Sequence, residues 1–291
     1  MVIRKGGQPM EPVDDFFEAA NAAKVNFDDV YNLPDPRRYY RTLGALDYRI
    51  PSEARPVFDA VIDAIEPSAP TIVDVGCSYG VNAAMIKYGL AFEELVARYR
   101  ASLVRTSSVA ETIFSDAAFF ADMPIVRDAK FIGIDVAAEA AGYGKAVGLL
   151  DEAVTQNLES APPSPRAASA LEGADLIITT GAVGYVTEQT FAAIIEASKG
   201  PPPCVAAFSL RQFPFDRIAE RLSDFGLETE KFEGRYFPQR HFANAEEMAG
   251  ALAALDTLGI DPQGLESEGR YFAEFYLAAP RAGPKLSDLS L

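Results

Sequence analysis

The chain has 291 residues and a formal net charge of −16, and 49% of its residues are hydrophobic. This length accommodates one large α/β domain with a modest accessory segment, and the near-average composition excludes wholesale disorder. No apolar run approaches the roughly 20 residues of a membrane span, and no basic stripe is present to displace counterions from a nucleic acid. We therefore expect a cytoplasmic protein that binds neither membranes nor nucleic acids.

The residues that most often bind zinc are scarce in this sequence. Cys77 and Cys204 are the two cysteines, and His241 is the one histidine. Two cysteines do not build a disulfide scaffold, and these three side chains form no ordinary Cys/His zinc site unless carboxylates complete it. We therefore predict no bound metal, while an all-oxygen magnesium site stays open.

The first fifty residues are polar and predict short helices and loops. Apolar spacing then predicts a helix from Ser52 that ends before Pro67. The β-branched run 71–75 predicts a buried strand, and a tight turn at Gly76 leads to a helix from about Val81. This order is typical of the first unit of a parallel α/β sheet.

Strands and helices continue to alternate along the rest of the chain. Helical spacing is predicted in an insertion over about 90–128 and again from Tyr143 to Val154. Further strands are predicted at 130–135, 175–181, 204–210 and 271–278, with helices through 191–195 and 215–225. The alternation predicts a doubly wound, Rossmann-like, mostly parallel α/β sheet with helices on both faces.

The most informative motif lies where the first predicted strand ends, which is where ligands of such sheets bind. It carries Asp74, Gly76, Ser78 and Gly80 in the pattern acidic-x-Gly-x-(Gly/Ser)-x-Gly. A dinucleotide-binding G-x-G-x-x-G that starts at Gly76 would also need glycine at positions 78 and 81, where the chain has serine and Val81. The motif therefore disfavours NAD binding.

The same motif resembles motif I of the class I S-adenosylmethionine (SAM) dependent methyltransferases, with Ser78 where the middle glycine usually lies. The resemblance implies SAM as cofactor and S-adenosylhomocysteine as product, with the cofactor ammonium near Asp74. Its carboxylate would lie at the N-terminus of the helix that follows. The cofactor-binding residues expected in this motif are Asp74, Gly76, Cys77, Ser78, Gly80 and Asn82. The alternative is a tight structural turn with Asp74 as a cap.

Asp135 ends the second predicted strand, where a carboxylate accepts both hydroxyls of a ribose in nucleotide-binding βαβ units. The methyltransferase resemblance implies the same role toward the adenosyl hydroxyls. The interval from Asp74 is longer than the roughly 20 residues of the compact pattern, and the helical insertion accounts for it. Asn157 is the candidate for contacting adenine, although no convincing strand precedes it, and Glu159 is expected to be exposed.

The loop after the third strand contains Thr180, Gly181, Gly184 and Tyr185. In the methyltransferases that this sequence resembles, the loop approaches the methyl group and the acceptor. The Asn/Asp-Pro-Pro-Tyr signature of DNA and some protein methyltransferases is absent, which favours a small-molecule acceptor. Thr180 and Gly181 are expected at the cofactor, and Tyr185 is expected as a pocket wall with a catalytic role or, alternatively, as a core residue.

Other candidates concern the acceptor. His241 is the candidate general base, because its unperturbed pKa is about 6.5, and Arg211 is a candidate anchor for an acceptor carboxylate. The resemblance implies that the segment before the first strand forms a lid, in which Tyr31, Tyr39 and Arg41 contact substrate. Structural or surface roles are the alternative for each of these residues.

The sequence thus predicts a SAM-dependent methyltransferase that transfers a methyl group to an O, N or S atom of a small molecule by in-line displacement. The predicted organisation is an N-terminal helical lid over 1–50, a SAM-binding domain over 51–280 and a tail over 281–291. A homodimer is possible. The alternatives are a non-catalytic SAM-binding module, a nucleotide-dependent oxidoreductase on the same sheet and, if the acceptor cavity is an open groove, a protein methyltransferase.

Overall fold

The computed structural model of the protein describes residues 20–21, 24, 28–65, 67–101 and 106–291. Its helices are α1 (Asp28–Tyr31), α2 (Arg37–Ala45), α3 (Ile50–Ala64), α4 (Val81–Tyr88), α5 (Phe92–Arg100), α6 (Val109–Asp122), α7 (Ala138–Ala146), α8 (Pro165–Leu171), α9 (Glu188–Ser198), α10 (Asp216–Ser223) and α11 (Ala245–Thr257). Its strands are β1 (Thr71–Val75), β2 (Lys130–Ile134), β3 (Glu152–Val154), β4 (Leu176–Thr180), β5 (Cys204–Leu210), β6 (Leu227–Lys231), β7 (Phe237–His241) and β8 (Arg270–Pro280). None of the helices in these ranges has both the length and the apolar character needed to cross a bilayer.

The strands form one sheet in the order β3-β2-β1-β4-β5-β8, and both β6 and β7 pair with the outer edge of β8. Strands β1 to β5 are parallel to one another, and β8 is antiparallel to each of its neighbours. The order of the first five strands is that of a doubly wound dinucleotide-binding sheet. The predicted Rossmann-like fold class is therefore confirmed.

Aromatic contacts on β8 show that helices cover both faces of the sheet. Phe275 and Tyr276 are consecutive residues of a strand and therefore point to opposite faces. Phe275 contacts Phe208, which also meets Phe58 of α3 at a centroid distance of 5.4 Å. Tyr276 instead stacks at 4.5 Å on Phe215, the residue before α10. The buried core therefore lies on both sides of the sheet, as the apolar strand sequences predict.

The predicted helical insertion consists of α5 and α6, which lie between α4 and β2. Its anchor is Asp116, whose side chain is completely buried. The carboxylate accepts hydrogen bonds from Arg98 Nε at 2.9 Å, from the Tyr99 hydroxyl at 3.0 Å and from the Tyr143 hydroxyl at 2.7 Å. Because Tyr143 belongs to α7, this one acidic residue joins both inserted helices to the main domain.

Several predicted element boundaries differ from the structure. Helix α7 ends at Ala146 and the chain turns at Gly148, whose φ is +79°, so that Val154 lies in strand β3 and not in a helix. Helix α3 begins at Ile50, and Ser52 lies inside it and is not its N-cap. Strands β6 and β7 and helix α11 were not predicted. In contrast, β1 and β5 have the predicted bounds.

Candidate functional site

The turn between β1 and α4 requires backbone conformations that favour glycine. Gly76 and Gly80 have φ values of +76° and +79°, and Ser78 between them also has a positive φ, of +48°. A Cβ on Gly76 would lie 2.7 Å from the Cβ of Ala182 in the loop after β4. The turn therefore brings the loops of two neighbouring parallel strands into direct contact, and only glycine at position 76 permits this approach.

Three of the predicted residues form a hydrogen-bonded group at the carboxyl ends of β1 and β4. Asn82 Nδ2 donates to Asp74 Oδ1 at 3.0 Å and to Thr180 Oγ1 at 3.3 Å. Asp74 is fully buried, and its Oδ2 has no hydrogen-bond partner among the residues that the structure describes. Burial raises the pKa of Asp74 to about 7; the negative charge of Asp135 adds to the shift and the hydrogen bond from Asn82 opposes it. This carboxylate therefore lacks the cationic partner that a buried charge requires.

Asp135 lies across the turn from Asp74, directly after β2. Its Oδ2 accepts the Ser78 backbone N–H at 2.8 Å, and its Oδ1 accepts the Ala137 N–H at 2.9 Å. Burial raises the pKa of Asp135, and the two backbone hydrogen bonds oppose that shift. Each carboxylate oxygen can accept a second hydrogen bond. The Ser78 hydroxyl is also buried and unpartnered, so this side of the turn offers several unused polar positions.

The thiol of Cys77 faces the sheet. A Cβ on Gly133 of β2 would lie 2.6 Å from Cys77 Sγ, so the sulfur fills the space above that glycine. Burial raises the pKa of Cys77, and the nearby carboxylates Asp135 and Asp74 add to the effect. The thiol is therefore a neutral packing group, and only the Cys77 backbone is placed to contribute to a site on the turn.

The loop after β4 is contacted by side chains from distant parts of the chain. A Cβ on Gly181 would lie 2.8 Å from Gln239 Nε2 of β7, and a Cβ on Gly184 would lie 2.8 Å from the ring of Phe213. Tyr185 follows with 59% of its side chain area exposed. The Gly181–Gly184 segment thus contacts Gln239 of β7 and Phe213, which follows β5. The sequence did not predict either contact.

The N-terminal segment contacts the same turn through Tyr79. The Tyr79 hydroxyl accepts the Leu33 N–H at 3.0 Å and lies 3.0 Å from the Leu33 carbonyl oxygen. Tyr39 is buried, and its ring contacts both Tyr31 and Tyr79 at centroid distances of 5.4 and 5.2 Å. Arg41 is exposed on the opposite face of α2. Of the three predicted substrate contacts, Tyr31 and Tyr39 therefore adjoin the turn and Arg41 does not.

Three other predicted residues have partners of their own away from this turn. Asn157 is exposed, and its Oδ1 accepts the Glu159 N–H at 2.9 Å. Arg211 forms a buried ion pair with Glu266. His241 is exposed at the end of β7, with its Nε2 2.7 Å from Arg270 Nη2.

The expectation that Glu159 is exposed is wrong. Its carboxylate accepts the Thr187 N–H at 2.9 Å, the Thr187 hydroxyl at 2.6 Å and the Thr190 hydroxyl at 2.5 Å. These bonds bring a negative charge to the N-terminus of α9, where the helix dipole favours it. The short strand β3 that precedes this region was also missed, because three residues carry too little periodicity.

A buried ion pair that sequence reasoning missed lies beside the loop after β4. Arg240 donates to Glu247 through Nη1 at 2.9 Å and Nη2 at 2.7 Å, and both side chains are at least 95% buried. Next to Arg240, Gln239 is buried with its Oε1 unpartnered. Arg240 and Glu247 lie in polar stretches, which do not predict burial. They become buried because β7 and α11 pack together in the folded protein.

Comparison with solved structures gives fold-level similarity to methyltransferases at low sequence identity. A TehB-like SAM-dependent methyltransferase from Corynebacterium glutamicum is 16% identical, with 82% of this chain and 94% of that chain covered and a TM-score of 0.41. The plantazolicin methyltransferase BamL, in complex with a triazolic desmethylPZN analog and SAH, is 13% identical, with 93% of this chain and 100% of that chain covered and a TM-score of 0.44. A SAM-dependent methyltransferase from Aquifex aeolicus is 14% identical, with 87% and 99% covered and a TM-score of 0.37.

Searches by sequence alone gave no relatives. No protein-family model matches the chain, and no curated protein matches it. The chain is similar to the three structures above in its fold.

Proposed function

We propose that this protein is a SAM-dependent methyltransferase acting on a small molecule, with S-adenosylhomocysteine as its product. The observation that carries the proposal is the buried carboxylate of Asp74, which has one unpartnered oxygen. It lies at the carboxyl end of β1, beside the glycine turn to α4, where ligands of doubly wound sheets bind. A carboxylate in this position suits the amino group of a zwitterionic ligand.

The other residues of the turn suit the remaining polar groups of SAM. Asp135 would accept the ribose hydroxyls through the free lone pairs of its two oxygens, while its present bonds to Ser78 and Ala137 hold it in position. Backbone N–H groups at the start of α4 would donate hydrogen bonds to the cofactor carboxylate. Asn82 would keep Asp74 correctly oriented through the hydrogen bond that it donates.

Bound SAM would supply an activated methyl group on a sulfonium, so the protein needs no elaborate catalytic machinery. The chain's own residues would align the acceptor and exclude water. The acceptor atom, whether O, N or S, would approach beside Thr180, whose hydroxyl accepts the hydrogen bond from Asn82. The N-terminal segment would act as a lid, and the hydrogen bonds between the Tyr79 hydroxyl and Leu33 support this role.

The first experiment is a calorimetric titration of the purified protein with SAM, S-adenosylhomocysteine and NAD⁺. We expect micromolar binding of the two sulfur ligands and no heat from NAD⁺. Asp135→Asn should weaken SAM binding by roughly tenfold to a hundredfold, because it removes charge from hydrogen bonds to the ribose. The matched control is Asp128→Asn, at an exposed position two residues before β2.

The outcomes of the titration separate the proposal from its alternatives. Absence of binding to both sulfur ligands in folded, cofactor-free protein would make the Asp74–Gly80 turn purely structural. Binding of NAD⁺ would favour an oxidoreductase.

Two further properties, the cellular location and the oligomeric state, concern the whole protein. We expect it in the cytoplasm, which cell fractionation tests, and sedimentation tests whether it forms the homodimer that the sequence allows. Neither expectation changes the assignment of the turn.

A further inference from the structure

Lys24 is held above the loop that follows β4. Its backbone N–H donates to the Asn21 carbonyl oxygen at 3.0 Å, and Asn21 Nδ2 donates to the Gly184 carbonyl oxygen at 2.6 Å. Ala20, just before, is buried in the core. These contacts attach this part of the N-terminal segment to the loop where the proposed function locates the acceptor.

The Lys24 amine lies between two aromatic rings. Its Nζ is 4.4 Å from the ring centroid of Tyr185 and 5.5 Å from that of Phe213. Both distances lie within the range of cation–π attraction. Gly184 makes the arrangement possible, because a side chain there would collide with the Phe213 ring at 2.8 Å.

The buried environment of this amine favours its neutral form. Burial lowers the pKa of Lys24 to about 7, and the positive charge of Arg240 adds to the shift while Glu247 opposes it. Arg240 and Glu247 neutralise each other in their own ion pair, so neither is a free partner for Lys24. A substantial share of Lys24 therefore has a free lone pair at neutral pH, unlike an ordinary lysine.

One short loop joins the residues around the Lys24 amine to the proposed cofactor residues. That loop begins at Thr180, which accepts a hydrogen bond from Asn82, and it reaches Tyr185 five residues later. Lys24 thus lies against the loop that begins at Thr180, one of the proposed cofactor residues.

We propose that Lys24 Nζ is itself a methyl acceptor, so that this protein methylates its own N-terminal segment. This inference rests on the proposed function. The amine lone pair would form the new N–C bond while the S–C bond breaks, and that electron pair stays on sulfur to give S-adenosylhomocysteine. The resulting methylammonium would lose a proton to solvent before any further transfer. Tyr185 and Phe213 would stabilise the methylated cation, as aromatic cages do.

The test uses the full-length protein, stripped of cofactor, with SAM as the only added compound. Intact mass spectrometry should show a gain of one CH₂ mass per methyl group, and peptide mapping should place it at Lys24. Lys24→Arg should show no gain. Lys199 serves as the internal control, since its side chain is 61% exposed and distant in sequence from the loop.

The pH profile is a second readout. Only the neutral amine attacks, so the rate should rise with pH and level off above about pH 7, whereas an ordinary lysine would keep gaining reactivity up to about pH 10. Tyr185→Leu should slow the methylation roughly tenfold by removing one ring. Phe114→Leu is the matched control, because Phe114 is 78% exposed and lies in the insertion.

Calorimetry on the same sample separates the two claims. Failure to bind SAM would remove the proposed function itself. SAM binding with Lys24 unmodified across about pH 6 to 9 would overturn this inference alone. Equal modification of Lys199 would also overturn it, because it would show unselective chemistry.

Discussion

The partners of buried charged side chains differ between the antiparallel and the parallel part of the sheet. At the antiparallel side, Arg211 and Glu266 pair with side-chain exposures of 5% and 2%, next to a cavity of about 920 Å³ between α10, β6 and β8. In the parallel part, Asp74 is just as deeply buried, and within the described part of the chain its hydrogen-bond partner is the neutral amide of Asn82. Arg211 and Glu266 compensate each other within the fold, whereas our proposed function assigns the partner of Asp74 to a bound ligand.

The largest expected effect on stability comes from disrupting the buried ion pair between Arg211 and Glu266. Glu266→Gln should lower the free energy of unfolding by about 3–5 kcal/mol, because it leaves the Arg211 charge buried without compensation. Urea denaturation measures this change. Glu196→Gln is the control, since its ion pair with Arg221 is solvent-exposed and should contribute about 1 kcal/mol or less. Equal effects for the two variants would contradict the assigned structural role.

A pH-dependent effect of similar size is expected at Asp74. The folded-state pKa of about 7 lies above the unfolded value, so the folded protein binds more protons between about pH 4 and pH 7. The stability contributed by the protonated group is full below about pH 4 and is lost as pH rises through 7, at up to about 1.4 kcal/mol per pH unit.

The variant Asp74→Asn checks this slope. It cannot titrate, and its side chain can still accept the hydrogen bond from Asn82, so its stability relative to wild type should improve as pH rises towards 7. Denaturation of both proteins at several pH values gives the comparison. Parallel stability curves would show that Asp74 is already ionised and compensated in the free protein.

The smallest effect is expected at His241, which belongs to neither buried group. Its ring is exposed and contacts Arg270 and the Gly269 carbonyl oxygen at the surface. His241→Ala should change the free energy of unfolding by no more than about 0.5 kcal/mol and leave SAM binding unchanged. Weaker SAM binding by this variant would contradict the prediction, because the contacts of His241 do not link the end of β7 to the glycine turn.

The sequence predicts the parallel part of the fold well for a physical reason. Buried parallel strands must be continuous apolar runs, and such runs identified β1 and β5 with their correct bounds. Edge strands carry less signal: β6 reads Leu-Glu-Thr-Glu-Lys and β3 has three residues. Their place in the sheet depends on pairing with distant partners, which local periodicity does not encode.

The residues of the candidate site also fall into two groups, those that the sequence predicted and those that it did not. Asp74 and Asp135 were predicted because Asp74 lies near the end of the run 71–75 and Asp135 directly follows β2, both at the binding edge of the sheet. Lys24, Gln239 and Arg240 were not, because they reach the loop after β4 through tertiary contacts. A lysine in a polar segment has no local feature that shows it will be partly enclosed between two aromatic rings.

The contact between Gly133 and Cys77 has a consequence for how this protein can evolve. Adding a Cβ at position 133 would bring it within 2.6 Å of both Cys77 Sγ and Leu150 Cδ1. Alanine at 133 therefore becomes acceptable only after a smaller residue has replaced its neighbours, so the order of substitutions matters. In related sequences, residues at positions 77, 133 and 150 should vary together in size.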